Sequence, residues 1–198
     1  MNILYSGGAK GADTIFAMCA QHRGDKVYAF SFPGHKVEIG KYELNEGQLE
    51  GQLDTILIAA KGLKRQISKT PTKHPGFRFI RNLILRNAWQ IHGLKEHGPT
   101  TVVYAVAPLN KFHTQVEGGT AWAVEIAVRQ TEVPVYVFDL KTNKWYLWVE
   151  DKFHVQKGTP PTPTGVYTGI GSRDMTDEGI EAIGNLFNLP ISPLEDPK

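Results

Sequence analysis

Three short stretches carry the residue types that let a backbone hold a phosphate. They are Ser6-Gly7-Gly8-Ala9-Lys10-Gly11-Ala12-Asp13, Glu117-Gly118-Gly119-Thr120-Ala121 and Gly169-Ile170-Gly171-Ser172-Arg173-Asp174. Glycine serves such a site twice: it permits positive φ in a tight turn, and it lacks the Cβ that would hold an anion away from backbone N–H groups. A helix that follows adds unpaired N–H donors and the positive end of its dipole. None of the three is a Walker loop, because no Gly-Lys-Ser/Thr follows at the required spacing. The strict GxGxxG dinucleotide pattern is absent too, since residues 169–173 supply GxG without a third glycine.

The surrounding pattern places these turns between strands and helices. Asn2–Ser6 reads as a strand, and an apolar face of Ile15, Phe16, Cys19 and Ala20 marks a helix through about Gln21. Lys26–Phe32 reads as the next strand, ended by Pro33-Gly34, whereas residues 35–48 give no clear assignment. Helical spacing links Leu49, Leu53, Ile56, Leu57, Ala60 and Leu63. A second apolar stripe joins Phe77, Ile80, Ile84, Ala88 and Ile91, with Arg78, Arg81, Asn82 and Arg86 beside it. Thr100–Ala107 and Val133–Leu140 are runs expected of strands buried on both faces. Between them Ala121–Gln130 reads as a helix, and Lys144–Val149 is expected to pair back as a hairpin strand. Residues 151–165 are proline-rich and read as an extended connector. After them come a strand from Gly165 and a helix over Thr176–Phe187, with Asp174 or Thr176 to cap it.

Strands alternating with helices imply an α/β fold: a single doubly wound domain over residues 1–198 with a mainly parallel sheet and helices on both faces. In such a fold the strand-to-helix turns gather at the carboxyl ends of the strands, where ligands bind. Composition agrees with a packed domain, with 41% apolar and 21% charged residues. No apolar run is long enough to span a bilayer, so no membrane association is expected. Residues 1–30 do not read as a signal peptide, because glycines and an aspartate interrupt the apolar segment. The one cysteine, Cys19, excludes an intramolecular disulfide and suits a cytoplasmic setting. The seven histidines form no HxH or HExxH spacing, so neither a metal nor another cofactor is expected.

Charge is unevenly spread. The chain carries a formal net charge of +2, yet Thr55–Lys95 holds nine basic residues and no acidic one. That segment reads either as a solvated helical face or as a surface turned toward an anion.

SGGAKGAD, an Arg-Asn pair within a helix (Arg81-Asn82), then a buried strand, GGT and the strand PVYVF together resemble the SLOG superfamily. Its relatives include the lonely-guy phosphoribohydrolases and the DNA-processing protein DprA. The resemblance covers Asn2 to about Leu140 and again Gly165 to Phe187, with one departure of order. In that family the strand and turn ending in GSR come first, whereas here Gly169–Arg173 lies near the C-terminus. The chain therefore resembles a circularly permuted member, with residues 165–170 expected to insert as a central strand beside residues 2–6. Permutation of this kind is tolerated where the original termini lie close together.

The resemblance implies a Rossmann-like nucleotide site. Gly7, Gly8, Ala9, Lys10, Gly11, Gly171, Ser172 and Arg173 would meet phosphate or ribose. Gly118, Gly119 and Thr120 would form a second cradle, and Arg81 and Asn82 would approach from the neighbouring helix. Asp13 would brace its turn. Trp122, directly after GGT, would either stack on a base or pack in the core.

The phosphoribohydrolase branch pairs an arginine with a glutamate near a PGGxGTxxEE motif to cut an N-glycosidic bond, and that full motif is missing here. Its nearest stand-ins are Glu125, with Arg81 as the arginine, and Glu117 just before the turn. The expectation is thus a protein that binds or sequesters a phosphorylated nucleotide or an ADP-ribose-like ligand. The alternative is a nucleotide N-glycosidase, and DprA-like binding of single-stranded DNA is the weaker third reading. The resemblance also implies a homo-oligomer.

Overall fold

The computed structural model describes residues 1–190. Eight strands form one sheet in the order β3-β2-β1-β8-β4-β5-β6-β7. The chain runs β1 (Ile3–Ser6), α1 (Ala12–Arg23), β2 (Lys26–Ser31), β3 (Lys41–Glu43), α2 (Glu46–Glu50), α3 (Leu53–Leu63), α4 (Pro75–Leu85) and α5 (Asn87–His92). It continues with β4 (Val103–Val106), α6 (Ala121–Gln130), β5 (Val135–Asp139), β6 (Lys144–Val149), β7 (Lys152–Val155), β8 (Val166–Gly171) and α7 (Asp177–Leu186). The six strands from β3 to β5 are mutually parallel, while β6 and β7 turn back antiparallel at one edge. No helix among the described residues is long and apolar enough to cross a membrane.

Strand alternation sorts the core into two layers. Ile3, Tyr5, Val103, Ala105, Val135, Val137 and Ile170 face a core built with α3, α5 and α6. Leu4, Tyr104, Val106, Phe138 and Tyr167 face the other way, onto α1 and α7. Helices therefore cover both faces, as the apolar strand runs require.

The last strand is central. Leu4 is in register with Tyr167 on one side of β8, and Ala105 with Ile170 on the other. Asn2 Oδ1 accepts from the Gly165 N–H at 3.0 Å, and the Ile3 N–H donates to Gly165 O at 2.8 Å, which fixes the register where β8 enters. Gly169 has a packing reason, because a Cβ there would lie 2.6 Å from the Phe16 ring. Thr176 caps α7, its hydroxyl accepting from the Gly179 N–H at 3.1 Å.

Three sequence expectations need correction. The 151–165 connector begins with β7, an edge strand pairing Trp148 with Phe153. The unassigned stretch 35–48 holds β3 and the start of α2, whose Asn45 and Gln48 form a reciprocal capping box. The Phe77–Ile91 stripe is two helices rather than one, broken at Arg86, and its first half faces outward: Phe77 is 66% and Ile80 54% exposed.

Because β8 bridges β1 and β4, removing residues 160–198 leaves two half-sheets with unpaired inner edges. We expect that truncation to abolish the cooperative thermal transition seen by circular dichroism. A truncated chain that still melts in one sharp step would refute the bridging role.

Candidate functional site

The helix that links β1 to β2 (α1) lies on one face, and the helix that links β4 to β5 (α6) lies on the other. Between them the strand order reverses, which is the position where open parallel sheets form a crevice at their carboxyl ends. The turns 7–11, 107–120 and 172–176 all leave from that rim, after β1, β4 and β8.

Two of the turns interlock. The Ala12 N–H donates to Ser172 O at 3.0 Å, and the Gly171 N–H donates to Asp13 Oδ1 at 2.9 Å. Asp13 also accepts from Ala9 N–H at 3.3 Å, so it braces both turns from the first turn of α1. Gly11 has φ +88°, and a Cβ there would collide with the backbone carbonyls of Ser172 and Arg173. Glycine at 11 is therefore demanded by chain-to-chain packing. Val37 similarly fills the space beside Gly8, while Lys10 and Arg173 are exposed.

Gly7 makes room for an arginine. A Cβ at this position would overlap the Arg86 guanidinium and the Gln90 amide. The hydrogen-bond network sets the Gln90 amide with its oxygen accepting from the Gly7 N–H at 3.1 Å and from Arg86 Nη1, and its nitrogen donating to Asn87 Oδ1 at 3.3 Å. The N–H groups of Gly7, Ala9, Ala12 and Gly171 are thus used within the protein, whereas those of Gly8, Lys10 and Gly11 make no hydrogen bond among the described residues.

The rim also offers buried polar side chains. Arg86 is 6% exposed, and its Nε has no hydrogen-bond partner. No ion pair holds it among the described residues; Asp13 is the opposite charge that acts on it. Burial pushes the Arg86 guanidinium below its usual value and the Asp13 carboxyl above its own, and the attraction between the two opposes both shifts. Ser6 Oγ, at the end of β1, and His35 Nδ1 are also buried without partners. His35 stacks on Phe32 with ring centroids 5.2 Å apart. Its pKa is lowered to about 4, first by burial and then by the positive charges of Arg86 and Lys41. A buried guanidinium with a free donor is costly unless an anion completes it.

The remaining sequence candidates lie elsewhere or are occupied. Arg81 is 3% exposed and is gripped by Glu50, with Nη2 to Oε2 at 2.9 Å, and by Ser68 O at 2.9 Å from Nε. Asn82, next to it, is half-buried. Arg86-Asn87 repeats the Arg-Asn pair five residues on, and it is this second pair that reaches the β1 turn. Gly118 and Gly119 face open space, and Gly118 O accepts from Arg65 Nη1 at 2.8 Å. Hydrogen bonds tie their loop to α3 and β5, through Gln115 to Gly62 O and Leu109 N–H to Asp139, with none to turn 7–11 among the described residues. Thr120 starts α6 without a side-chain cap, and Trp122 is a 5% exposed core residue under Arg65.

Glu125 is buried against α3, so close that a Cβ on Gly62 would overlap it, and Arg129 Nε stands 3.6 Å away. Burial raises its pKa, with Arg129 opposing. Glu117 pairs with Lys141 at 2.7 Å. No cluster of metal-binding side chains occurs among the described residues. Two shallow cavities, of about 400 and 540 Å³, lie at the amino end of β5 and under α7, and no residue of the three glycine turns lines either. Compared with protein-family models, with curated proteins and with solved structures, the chain matches none.

Two outcomes follow from this geometry. Asp13→Ala strips two amides of their acceptor and leaves Arg86 without a countercharge, so equilibrium denaturation should show a loss of about 2–4 kcal/mol; a loss below 1 kcal/mol would contradict the bracing role. His35 has a folded pKa of about 4 against an ordinary 6.5, so between those values the unfolded chain binds the extra proton and stability falls as pH falls. His35→Phe, which keeps the stack on Phe32, should flatten the decline between pH 7 and pH 4, leaving the part due to His92, whose pKa is also lowered by burial.

Proposed function

We propose that this chain binds a phosphorylated nucleotide, or an ADP-ribose-like ligand, at the carboxyl rim between β1, β8 and β4. The observation that carries the reading is the buried Arg86 guanidinium, whose Nε is unpartnered at the point where the strand order reverses. A planar guanidinium suits a phosphate because it donates two parallel hydrogen bonds. In this reading Gly7 is there to admit Arg86, Asp13 holds the countercharge, and the open Gly118–Thr120 turn meets a second part of the ligand. The nucleotide class rests on the SLOG-like motifs. The same resemblance supports a Rossmann-like, circularly permuted architecture, for which the central place of β8 is the expected consequence.

Binding is favoured over N-glycosidic cleavage by the state of the glutamates. Glu125 is turned to α3 and Arg129, and Glu117 is engaged by Lys141. Nucleic acid is disfavoured because carboxylates already engage two arginines of the basic segment, Arg78 through Glu46 and Arg81 through Glu50, and Arg86 is buried in the rim.

Calorimetry and thermal melting with AMP, ADP-ribose and inorganic phosphate test the proposal. At a hundredfold excess over Kd a ligand adds about 2.7 kcal/mol, which is roughly 5–10 °C for a chain of this size. That shift should vanish in Arg86→Met, measured against the variant's own unliganded melt. Absence of any shift in the unmodified protein would overturn the assignment. Release of free base, detected by chromatography and lost in Glu125→Gln, would replace binding with hydrolysis.

A further inference from the structure

We infer that residues 34–40 form a lid over the β1 turn, with Val37 as the plug that must leave before the site can fill. This lid, which rests on the reading of the rim as a ligand site, answers a steric problem. Arg86 is 6% exposed with its Nε unpartnered, and Ser6, directly before the turn, has its Oγ buried without a partner. Neither of the two cavities is lined by a residue of turn 7–11. A ligand reaches such groups when a segment that covers them moves.

Three neighbours fill the space against this turn, and two of them are fixed. At Gly11 the neighbour is the backbone of Ser172 and Arg173, tied by the Ala12 N–H to Ser172 O bond at 3.0 Å. At Gly7 it is Arg86 with Gln90, and the Gln90 carbonyl is held to the sheet by the Thr168 hydroxyl. At Gly8 it is Val37, whose Cγ2 lies 2.6 Å from where a Cβ would stand. Val37 belongs to a stretch, Lys36–Ile39, whose backbone makes no hydrogen bond among the described residues. Its side chains alternate instead: His35, Val37 and Ile39 are half-buried, while Lys36 and Glu38 are exposed. Packing alone therefore holds the underside of the lid, and such segments open at a lower free energy than a hydrogen-bonded core.

Both ends are built as hinges. Gly34 has φ +89° and Gly40 φ +67°, values that favour glycine, and a Cβ at Gly34 would meet nothing within 4 Å. The His35 N–H to Phe32 O bond at 2.9 Å and the Ala29 N–H to Gly40 O bond at 2.7 Å anchor the lid on either side. His35 is the latch: its ring stacks on Phe32 at 5.2 Å with 15° between the planes, and Phe79 lies 6.3 Å away. Swinging outward uncovers Gly8, whose N–H, like those of Lys10 and Gly11, makes no hydrogen bond among the described residues.

Val37→Ala removes the plug from a half-buried position, so the thermal melt should stay cooperative. Phenylglyoxal, which modifies arginine, reads access without any ligand when the modified peptides are timed by mass spectrometry. Arg86 should react about threefold faster or more in the variant, because the closed lid loses part of its apolar packing. Arg81, held by Glu50 and Ser68, should keep its rate. An Arg86 rate indifferent to the change overturns the lid, and so does an Arg81 rate that climbs in step, since that reports a general loosening. In stopped flow with ADP-ribose, association should quicken by the same factor as the open fraction rises. Binding with an unchanged association rate overturns the lid and leaves the ligand reading standing. Faster modification of Arg86 with no binding of ADP-ribose, AMP or inorganic phosphate to either protein supports the lid and overturns the ligand reading.

Discussion

Everything at the rim depends on the backbone pairing of β8 with two strands that never touch each other. β1 bonds β2 on its outer side, and β4 bonds β5; without the strand between them, the sheet is two pieces with exposed inner edges. That pairing also delivers the Gly171 N–H to the Asp13 carboxylate and the Ser172 carbonyl to the Ala12 N–H. A strand from the far end of the chain thus completes the turn that follows the first one. Both hydrophobic layers need it as well, since Tyr167 and Ile170 point to opposite faces.

Much of this arrangement was legible in the sequence. Buried parallel strands are short apolar runs bounded by turn residues, and every such run here became a strand within two or three residues of its expected ends. The central place of residues 165–170 was an expectation of family order, which is a statement about topology and so survives without any knowledge of contacts. The edges were harder to read. β3 is only three residues long, and β7 is four residues in which Phe153 alone is buried, so neither carries an apolar alternation strong enough to separate it from a loop.

The glycines show where reading by residue type runs out. A glycine in a strand-to-helix turn signals that something approaches the backbone closely, but not what. At Gly11 the neighbour is the 172–173 backbone, at Gly8 it is Val37, and at Gly7 it is the Arg86 guanidinium. The arginines pose the same difficulty. Arg81 and Arg86 sit in the run RNLILRN, each followed by asparagine and five residues apart, which on a helix is about 500° of rotation and hence different faces. Helical spacing says that they diverge without saying which one turns to the sheet. Packing of α5 against β1 decides it for Arg86, and nothing in local composition announces that choice.

The basic segment completes the argument. Its charge looked like a surface prepared for an anion, because no acid occurs within it. The acids that answer it come from outside its borders: Glu46 and Glu50 from the preceding helix and Asp13 from the start of the chain. Glu46 pairs on the surface and contributes little. Glu50 closes a two-point grip on a buried arginine, which anchors α4 to α2 and fixes the face that α4 presents. Leu83 and Ile84 of the same helix pack against the core, while Phe77 and Ile80 in its first half stay exposed. Asp13 differs again, since it acts on Arg86 without direct contact and leaves the Nε free. Of the three arginines, the one least satisfied by the protein lies where the strand order reverses.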